Sequence, residues 1–487
     1  MHKYLNNVLL LTCILFPQTN IAQDKSITLE DVLAKVESTY DYENIRYDSL
    51  LNLTNHLIFD TNVLPKIDLS SKMPNYEKSI SMVSQYDGSY NYKSRTYATS
   101  ELVFNVKQLI PMTGGTLSFT SGLNRLDNLT NSNNKTYGYY YNIGNFSYKQ
   151  SLFAFNEYKW TKRQDEISKT IENVQYYQNI ESIKLKIIQS FFNLLLEQRK
   201  IELNQQNLEL SSRIYNKALL LLDHHRITST DLIDAKIEYL KEKSTNNSLA
   251  YNKALNDFNT LLNLSSMERK VVFNDTIETY EYVDFNMGKV LQRAIEFNYS
   301  LIKNQKELYQ FIEIKKAIAG IKPKIQLELG FGYNSQFEKF EDAYDDKINS
   351  KLISLTLSVP IYNGGLNRYK KKIAVIKLDK LRAEYQTDIK QAWNTYLDDL
   401  ANMKFIIAEM NRYKITLKLI KQQIAIIELK IEKGRLDIEQ YLRIKTEYTK
   451  CFVEYYHMLS KYYSYIYKYR SLALYDISTN KEVVDFN

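Results

Sequence analysis

The side chains that could do chemistry in this 487-residue chain are few and scattered. The chain has five histidines and two cysteines, and only His224 and His225 are adjacent. A metal site at this histidine pair is one interpretation, and a solvated turn is the other. If an N-terminal leader is removed, Cys451 remains alone and can form neither an intrachain disulfide nor a tetrahedral metal site. The sequence has no glycine-rich phosphate loop and no catalytic set, so we expect no enzyme activity, no cofactor and no metal.

The N-terminus and the charge distribution indicate where the chain resides. Residues 1–22 have a basic start, an apolar run over residues 8–16 and a small residue, Ala22, at a cleavage position, which predicts a secretory signal peptide. A buried N-terminal helix is the alternative. The formal net charge of +8 is spread through lysine–glutamate mixtures, which predicts solvated helical faces and no nucleic-acid partner.

Glycine and proline divide the chain into segments. There are only 13 glycines and six prolines, and neither residue type occurs between Gly144 and Gly288 or after Gly365 as far as Lys433. Helix interiors disfavour both residue types, whereas turns between strands use them. The pattern therefore predicts short helices, strands and a long helical hairpin, twice in succession.

Constant offsets between matching residues predict an internal two-fold repeat. The matching pairs are Val32 and Val290, Leu33 and Leu291, and Pro65 and Pro323 at an offset of 258 residues, then Leu152 and Ile361, Phe153 and Tyr362, Arg226 and Arg435, and Ile227 and Leu436 at an offset of 209. The first copy therefore holds 49 more residues than the second between Pro65 and Ser151.

The two kinds of segment have different hydrophobic periods. KIQLELGFGYN (324–334) and ISLTLSV (353–359) alternate apolar and polar residues, which is typical of strands in a membrane barrel with a wet lumen and also of a soluble sandwich. The leader and tyrosine clusters such as residues 139–141 favour the outer membrane. Residues 378–410 instead repeat every three or four positions, which predicts a coiled-coil-like seam. A helix from Gly365 to Gly434 would reach roughly 100 Å.

The stretch VPIYNGG (359–365) joins the two patterns. Pro360 ends a strand because it has no N–H to donate, and Gly364 and Gly365 permit a sharp bend. We therefore predict a strand-to-helix turn at these three residues.

At this stretch the chain resembles the TolC-like outer membrane efflux protein family, also called outer membrane factors. The resemblance also rests on ITLEDVLAKV (27–36), the PKI openings at Pro65 and Pro323, and the turns RITSTDLIDAKIEYL (226–240) and EKGRLDIEQYLRIKTEY (432–448). It covers about residues 27–475. It implies the outer membrane channel of a tripartite efflux or type I secretion system, which exports substrate from the periplasm or cytoplasm to the exterior.

The resemblance also implies an assembly and its partners. Three chains would form a homotrimer that closes one twelve-stranded barrel in outer membrane lipid and continues as a helical tunnel into the periplasm. The implied partners are a periplasmic adaptor (membrane fusion) protein and an inner-membrane transporter. A secreted or periplasmic coiled-coil structural or adaptor protein is the alternative function.

The expected fold class is thus a mixed α/β membrane protein, with four or six barrel strands per chain and a long α-helical coiled-coil tunnel. The number of strands depends on ELVFNVKQLIPMTGGTLSF (101–119) in the longer first copy, where alternation on both sides of Pro111 predicts an added hairpin and an extracellular loop is the alternative. The expected domains are a signal peptide (1–22), the first-repeat N-terminal helices (23–64), strands with the inserted hairpin (65–153) and helical hairpin (154–275), the second-repeat N-terminal helices (276–322), strands (323–363) and helical hairpin (364–475), and a C-terminal tail (476–487).

The turns at the far ends of the helical hairpins hold the candidate site residues. Asp231 and Asp234 of the first copy correspond to Gln440 and Arg443 of the second, so three chains would place charges of alternating sign around a pore gate. Ordinary solvated tip residues are the alternative. The predicted adaptor-docking residues at the same tips are Arg226, Ile227, Gly434, Arg435 and Leu436.

Overall fold

The structure is a computed structural model that describes residues 27–130, 136–245, 247–264, 271–273, 287–344, 347–433, 437–476 and 481–484. The predicted signal peptide lies outside the described residues. The strands are β1 (Lys66–Ser84), β2 (Tyr90–Ile110), β3 (Gly115–Asn128), β4 (Thr136–Leu152), β5 (Lys324–Phe337), β6 (Lys347–Ser358), β7 (Tyr475–Asp476) and β8 (Lys481–Glu482). The α-helices are α1 (Leu29–Leu33), α2 (Tyr40–Asp60), α3 (Glu157–Asp223), α4 (Ser229–Ser244), α5 (Ser248–Leu261), α6 (Met287–Ile295), α7 (Leu301–Ala319), α8 (Leu366–Glu432) and α9 (Ile438–Ala473).

Strands β1 to β6 form one antiparallel sheet in which every strand pairs with its neighbours in sequence order. The first copy of the repeat contributes four strands and the second contributes two. The extra pair is the hairpin β2–β3, which turns over Pro111 and Gly114, the latter at φ 71°. The prediction of an added hairpin is therefore confirmed, and the chain supplies six strands rather than four.

Two very long helices extend from the sheet. Helices α3 and α8 have 67 residues each, which corresponds to roughly 100 Å. The second copy returns through one helix, α9, whereas the first returns through α4 and α5 with a break around Thr245. The predicted long helices are confirmed. No helix in the described part of the chain has the length and apolar composition needed to cross a membrane.

The buried core lies where the helices of the two copies pack together. Its largest cluster includes Phe191 and Phe192 of α3, Met403 and Met410 of α8 and Leu459 of α9, all nearly inaccessible to solvent. A second cluster lies closer to the far ends of the hairpins and has the members Leu203, Ile214, Ala218, Ala235, Ile420, Ile427, Ile431, Ile438, Tyr441, Ile444, Tyr448 and Cys451. These clusters hold the two helical hairpins side by side.

Candidate functional site

One face of the six-stranded sheet is apolar from strand to strand. Across neighbouring strands, Leu117 lies opposite Tyr148, Tyr148 opposite Leu329, and Leu329 opposite Ile353. Ile353 is 83% exposed, so this face does not pack on the rest of the chain. The apolar side predicted for β5 and β6 therefore continues onto β4 and β3. Three polar residues lie on the same side, namely Gln108, Gln150 and Lys351.

The opposite face is polar and is lined by small side chains. Thr120 donates a hydrogen bond of 3.1 Å to Asn105, and Lys149 forms an ion pair of 3.0 Å with Glu328. A Cβ atom at Gly332 would lie 2.5 Å from a backbone carbonyl oxygen of β4, so glycine is needed for the close approach of β4 and β5. Such a face can be wetted by water, whereas the other face cannot be without cost.

Aromatic rings gather at the loop end of β4 and β5. The rings of Tyr139 and Phe337 stack at 5.4 Å, and those of Tyr141 and Tyr344 meet edge to face at 5.8 Å. The Arg125 guanidinium lies 5.7 Å from the ring centroid of Tyr139. Aromatic and cationic groups at the end of an apolar strand surface are typical of the boundary between hydrocarbon and headgroups.

The strands pass into the long helices through turns with left-handed backbone. Pro360 follows the end of β6, and Gly364 and Gly365 have φ values of 64° and 78°, with Gly365 at the N-cap of α8. In the first copy Phe153 has φ 57°, and the Asn156 side chain caps α3 by accepting a hydrogen bond from a backbone N–H. Both copies therefore pass from strand to helix within a few residues, in the second copy at Pro360, Gly364 and Gly365, for which the turn was predicted.

His56 of α2 contacts two carboxylates of α3 and so joins these two helices. His56 Nδ1 lies 2.6 Å from Asp165 Oδ1, and His56 Nε2 lies 2.7 Å from Glu172 Oε2. Lys169 Nζ is 3.0 Å from the other oxygen of Asp165. Burial by itself lowers the pKa of the His56 imidazole, but the hydrogen bonds to the two carboxylates outweigh burial and raise that pKa. This geometry suits an imidazolium that donates from both nitrogens.

The tip of the first hairpin is a turn closed by backbone hydrogen bonds. His225 has φ 52°, its N–H donates to the Leu222 carbonyl at 2.8 Å, and the Arg226 N–H donates to the Leu221 carbonyl at 2.9 Å. This is a Schellman arrangement with histidine at the left-handed position. His224 and His225 are exposed. The described residues contain no group of three or more histidine, cysteine, aspartate or glutamate side chains placed to hold a metal ion.

The two hairpin tips use equivalent positions to start the returning helices. Thr228 caps α4 and forms a capping box with Asp231, whose carboxylate accepts hydrogen bonds from the Thr228 N–H and hydroxyl at 2.9 and 2.7 Å. In the second copy Asp437 caps α9 by accepting a hydrogen bond of 2.9 Å from the Gln440 N–H. Both pairs of positions differ by the predicted offset of 209 residues.

The structure describes all four predicted gate residues but only two of the five predicted docking residues. Asp231 is engaged in its cap and Gln440 is half-buried, whereas Asp234 and Arg443 are exposed. Within the described residues, Asp234 and Arg443 have no ion-pair partner, so their role in a gate stays a prediction. Of the docking residues, Arg226 is exposed and Ile227 packs against the second core cluster. The remaining docking residues, Gly434, Arg435 and Leu436, lie outside the described residues.

A buried ion cluster near the tips was missed in the sequence. Lys445 of α9 is 5% exposed, and its Nζ lies 2.5 Å from Glu238 Oε1 and 2.8 Å from Glu242 Oε1, both on α4. The Tyr441 hydroxyl is buried nearby without a hydrogen-bond partner among the described residues. Burial, followed by the charges of Glu238 and Glu242, raises the pKa of Tyr441. The spacing of the two glutamates by four residues puts both on one helix face, which was the available signal.

Comparison with known proteins gives a fold. No protein-family model matches the chain, and no curated protein matches its sequence. The CmeC outer membrane channel of Campylobacter jejuni is 14% identical, with 93% of this chain and 88% of that chain covered at a TM-score of 0.62. The VceC outer membrane protein of Vibrio cholerae is 10% identical, with 92% and 95% covered at 0.62. The open MtrE outer membrane channel of Neisseria gonorrhoeae is 13% identical, with 91% and 88% covered at 0.57.

The chain has the fold of these outer membrane channels. The match covers more than nine-tenths of the chain, so it includes both copies of the repeat, the sheet and the long hairpins. At this level of identity the likeness concerns the fold alone, and the fold class predicted from the sequence is confirmed.

Proposed function

We propose that this protein is the outer membrane channel of a tripartite efflux or type I secretion system, which exports substrate from the periplasm or cytoplasm to the exterior. One observation supports this most directly: a sheet with one apolar and one polar face continues, through Gly365 and Asn156, into helices of roughly 100 Å. The sheet suits lipid on one side and water on the other, and the helices suit the periplasm.

The height of the apolar face fits a membrane. On β5 this face runs from Ile325 to Tyr333, nine residues that span roughly 30 Å along the strand. Strands in outer membrane barrels tilt by roughly 35–45°, which reduces that length to about 23 Å across the bilayer. The apolar band of such barrels is about 25 Å tall.

Two features support self-association of the chain, which we propose is a homotrimer. The sheet ends at β1 and β6 with open edges, which a membrane protein must close because lipid cannot satisfy backbone hydrogen bonds. The long helices also carry a second apolar stripe besides the one in the core. Its exposed members include Trp393, Leu397, Ile415, Leu419, Ile426 and Leu429 on α8, and Ile233, Ile237 and Leu240 on α4. A neighbouring copy would cover both the edges and the stripes.

The partners follow from the proposed position of the helical tips. A periplasmic adaptor would dock at the tips around Arg226, Ile227, Gly434, Arg435 and Leu436, and an inner-membrane transporter would deliver substrate through it. The substrate would enter past the tip residues Asp231, Asp234, Gln440 and Arg443. The assembly needs no cofactor in this proposal.

A secreted or periplasmic coiled-coil protein is the other candidate, and the sheet argues against it. In water such a protein would expose the whole apolar sheet face, far more than the few hundred Å² that soluble monomers usually leave uncovered.

Membrane fractionation followed by mass measurement in mild detergent tests the proposal. We expect the protein in the outer membrane fraction, soluble only with detergent, at about three times the mass of the mature chain, the full chain being 57.4 kDa. A stable monomer, or recovery in the aqueous periplasmic extract, would contradict the proposal and favour the coiled-coil alternative.

A further inference from the structure

The sheet is staggered along its width. A line drawn across the strands through directly paired residues starts at the first residue of β1. It passes through Lys66, Lys107, Ser118, Ser147, Gly330 and Leu352. On each strand we count how many residues separate this line from the strand end nearer the helices. The separation is zero on β1, three on β2 and β3, five on β4, and six on β5 and β6. The strands therefore climb by about one residue per strand, as in a tilted barrel wall.

We propose that β1 of one copy pairs with β6 of the next, with the ends flush, so that Lys66 lies opposite Ser358 and Leu69 opposite Leu355. Three copies of six strands then close a barrel of 18 strands. This inference rests on the proposed trimeric channel and adds to it the strand edge, its register and the width of the exit.

The faces of the two edge strands agree with this register. It places Ile67 opposite Leu357 and Leu69 opposite Leu355, all on the apolar face. These four side chains are between 62% and 67% exposed in the single chain. A shift by one residue would put Ile67 opposite Thr356 and would break the apolar surface at each junction between copies.

The resulting tilt is also that of known barrels. With flush ends, the stagger of six residues across six strands is carried unchanged into the next copy. A rise of about 3.4 Å per residue against a strand spacing of about 4.8 Å gives a tilt of about 35°. Barrel strands typically tilt by about 35–45°.

Pro74 limits the length over which β1 of one copy can pair with β6 of the next. The regular pairing of β1 with β2 is interrupted between Lys72 and Asn75, and Pro74 within this bulge has no N–H to donate. The proposed ladder therefore joins residues 66–72 of one copy to residues 352–358 of the next, seven residues on each strand.

The proposed barrel has a wide water-filled exit. A wall of 18 strands at this spacing and tilt encloses a backbone cylinder roughly 34 Å across, and barrels of this size leave an aqueous channel. After about 5 Å of side chain on each wall, roughly 24 Å remains open, against a diameter of about 10–12 Å for an α-helix. The exit of this channel thus admits a polypeptide that keeps helical structure, as well as small molecules.

Cysteine cross-linking in outer membranes tests the strand pairing. In a Cys451→Ala background, Leu69→Cys with Leu355→Cys should produce covalent dimers and trimers on mild oxidation. The matched controls are each single substitution and Leu69→Cys with Thr356→Cys, whose side chains point to opposite faces; none of these should cross-link. The pair Phe119→Cys with Leu355→Cys tests a different arrangement, in which β3 is the edge strand and the β1–β2 hairpin lies outside the barrel. Only in that arrangement should this pair cross-link.

The mass of the detergent-solubilised protein separates this inference from the proposed function. A trimer that cross-links through Leu69 and Leu355 supports the inference. A trimer that cross-links through Phe119, or through neither pair, overturns the 18-stranded barrel and leaves the channel proposal standing. A monomer overturns both.

Discussion

Lys445 and Glu242 are 203 residues apart in the chain, yet the Lys445 ammonium lies 2.8 Å from the Glu242 carboxylate. Glu238, one turn earlier on α4, is the second carboxylate on the same ammonium. These contacts join the returning helix of the second copy to that of the first, close to the tips that hold the predicted gate residues. Separation of the two helices would leave a buried charge without its partner.

Removal of the Lys445 charge should loosen this contact. Lys445→Met leaves two carboxylates facing each other in a buried site, and loss of one partner of a buried ion pair typically costs about 3–5 kcal/mol. We expect a lower thermal unfolding temperature and a higher open probability in planar bilayers. The triple variant that adds Glu238→Gln and Glu242→Gln removes the repulsion and should restore much of the stability. Wild-type conductance in Lys445→Met would exclude a role of this cluster in closure.

The exposed tip residues make a separate prediction for the gate. If Asp234 and Arg443 of neighbouring copies hold the entrance shut together, Asp234→Ala and Arg443→Ala should each raise open probability in planar bilayers. The double variant should add little to either single change, because both remove the same contact. If both single variants conduct like the wild type, closure depends on other groups, such as the buried cluster of Lys445.

Neighbouring residues of β6 should respond in opposite ways to the same substitution. Ile353 lies on the apolar face and Ser354 on the polar face. Ile353→Lys should destabilise the membrane-inserted protein by about 2–4 kcal/mol if the position lies near the bilayer midplane. Ser354→Lys should insert normally and change ion selectivity instead. Unfolding by urea from lipid vesicles measures the first effect, and equal stability of the two variants would argue against lipid on the Ile353 side.

The His56 cluster should make the attachment of α2 to α3 depend on pH. The folded protein raises the pKa of His56, so its contribution to stability is complete below the unfolded value of about 6.5 and is lost as pH rises through the folded value. Thermal unfolding measured between about pH 6 and pH 9 should show this loss. His56→Gln, which does not titrate, should remove that part of the pH dependence. An unchanged profile in the variant would mean that other groups cause it.

The equivalent turn positions of the two hairpin tips should both disfavour β-branched side chains. His225 has a left-handed backbone in the first copy, and Gly434 is its counterpart 209 residues later, outside the described residues. His225→Gly should be neutral or stabilising by up to about 1 kcal/mol, whereas His225→Val should destabilise by about that amount.

Gly434→Val should leave membrane insertion intact and reduce export. Unchanged export would argue against adaptor docking at this tip.

The local elements of this protein could be predicted from its sequence. A period of two in residues 324–334 and 353–359, and a period near 3.5 after Gly365, are properties of short stretches of chain, and the structure places strands and a helix there. Absence of glycine and proline allows α3 and α8 to run for 67 residues each, because nothing within them interrupts the backbone hydrogen bonds. It does not set where α3 ends, since the turn after Asp223 contains neither residue type. The turn at Pro360 and Gly364 follows for the same local reason.

Contacts between distant parts of the chain needed the tertiary structure. The sequence left open whether residues 101–119 form strands beside the others, because alternation does not say which strand lies beside which; the pairing of β2 with β1 and β3, and of β3 with β4, places them in the sheet. By contrast, the cap formed by Thr228 and Asp231 joins residues only three apart, and the role of Asp231 in a gate stays a prediction. The clusters around His56 and Lys445 were not predicted at all, because their members are 109 to 207 residues apart and become neighbours only when packed helices bring them together.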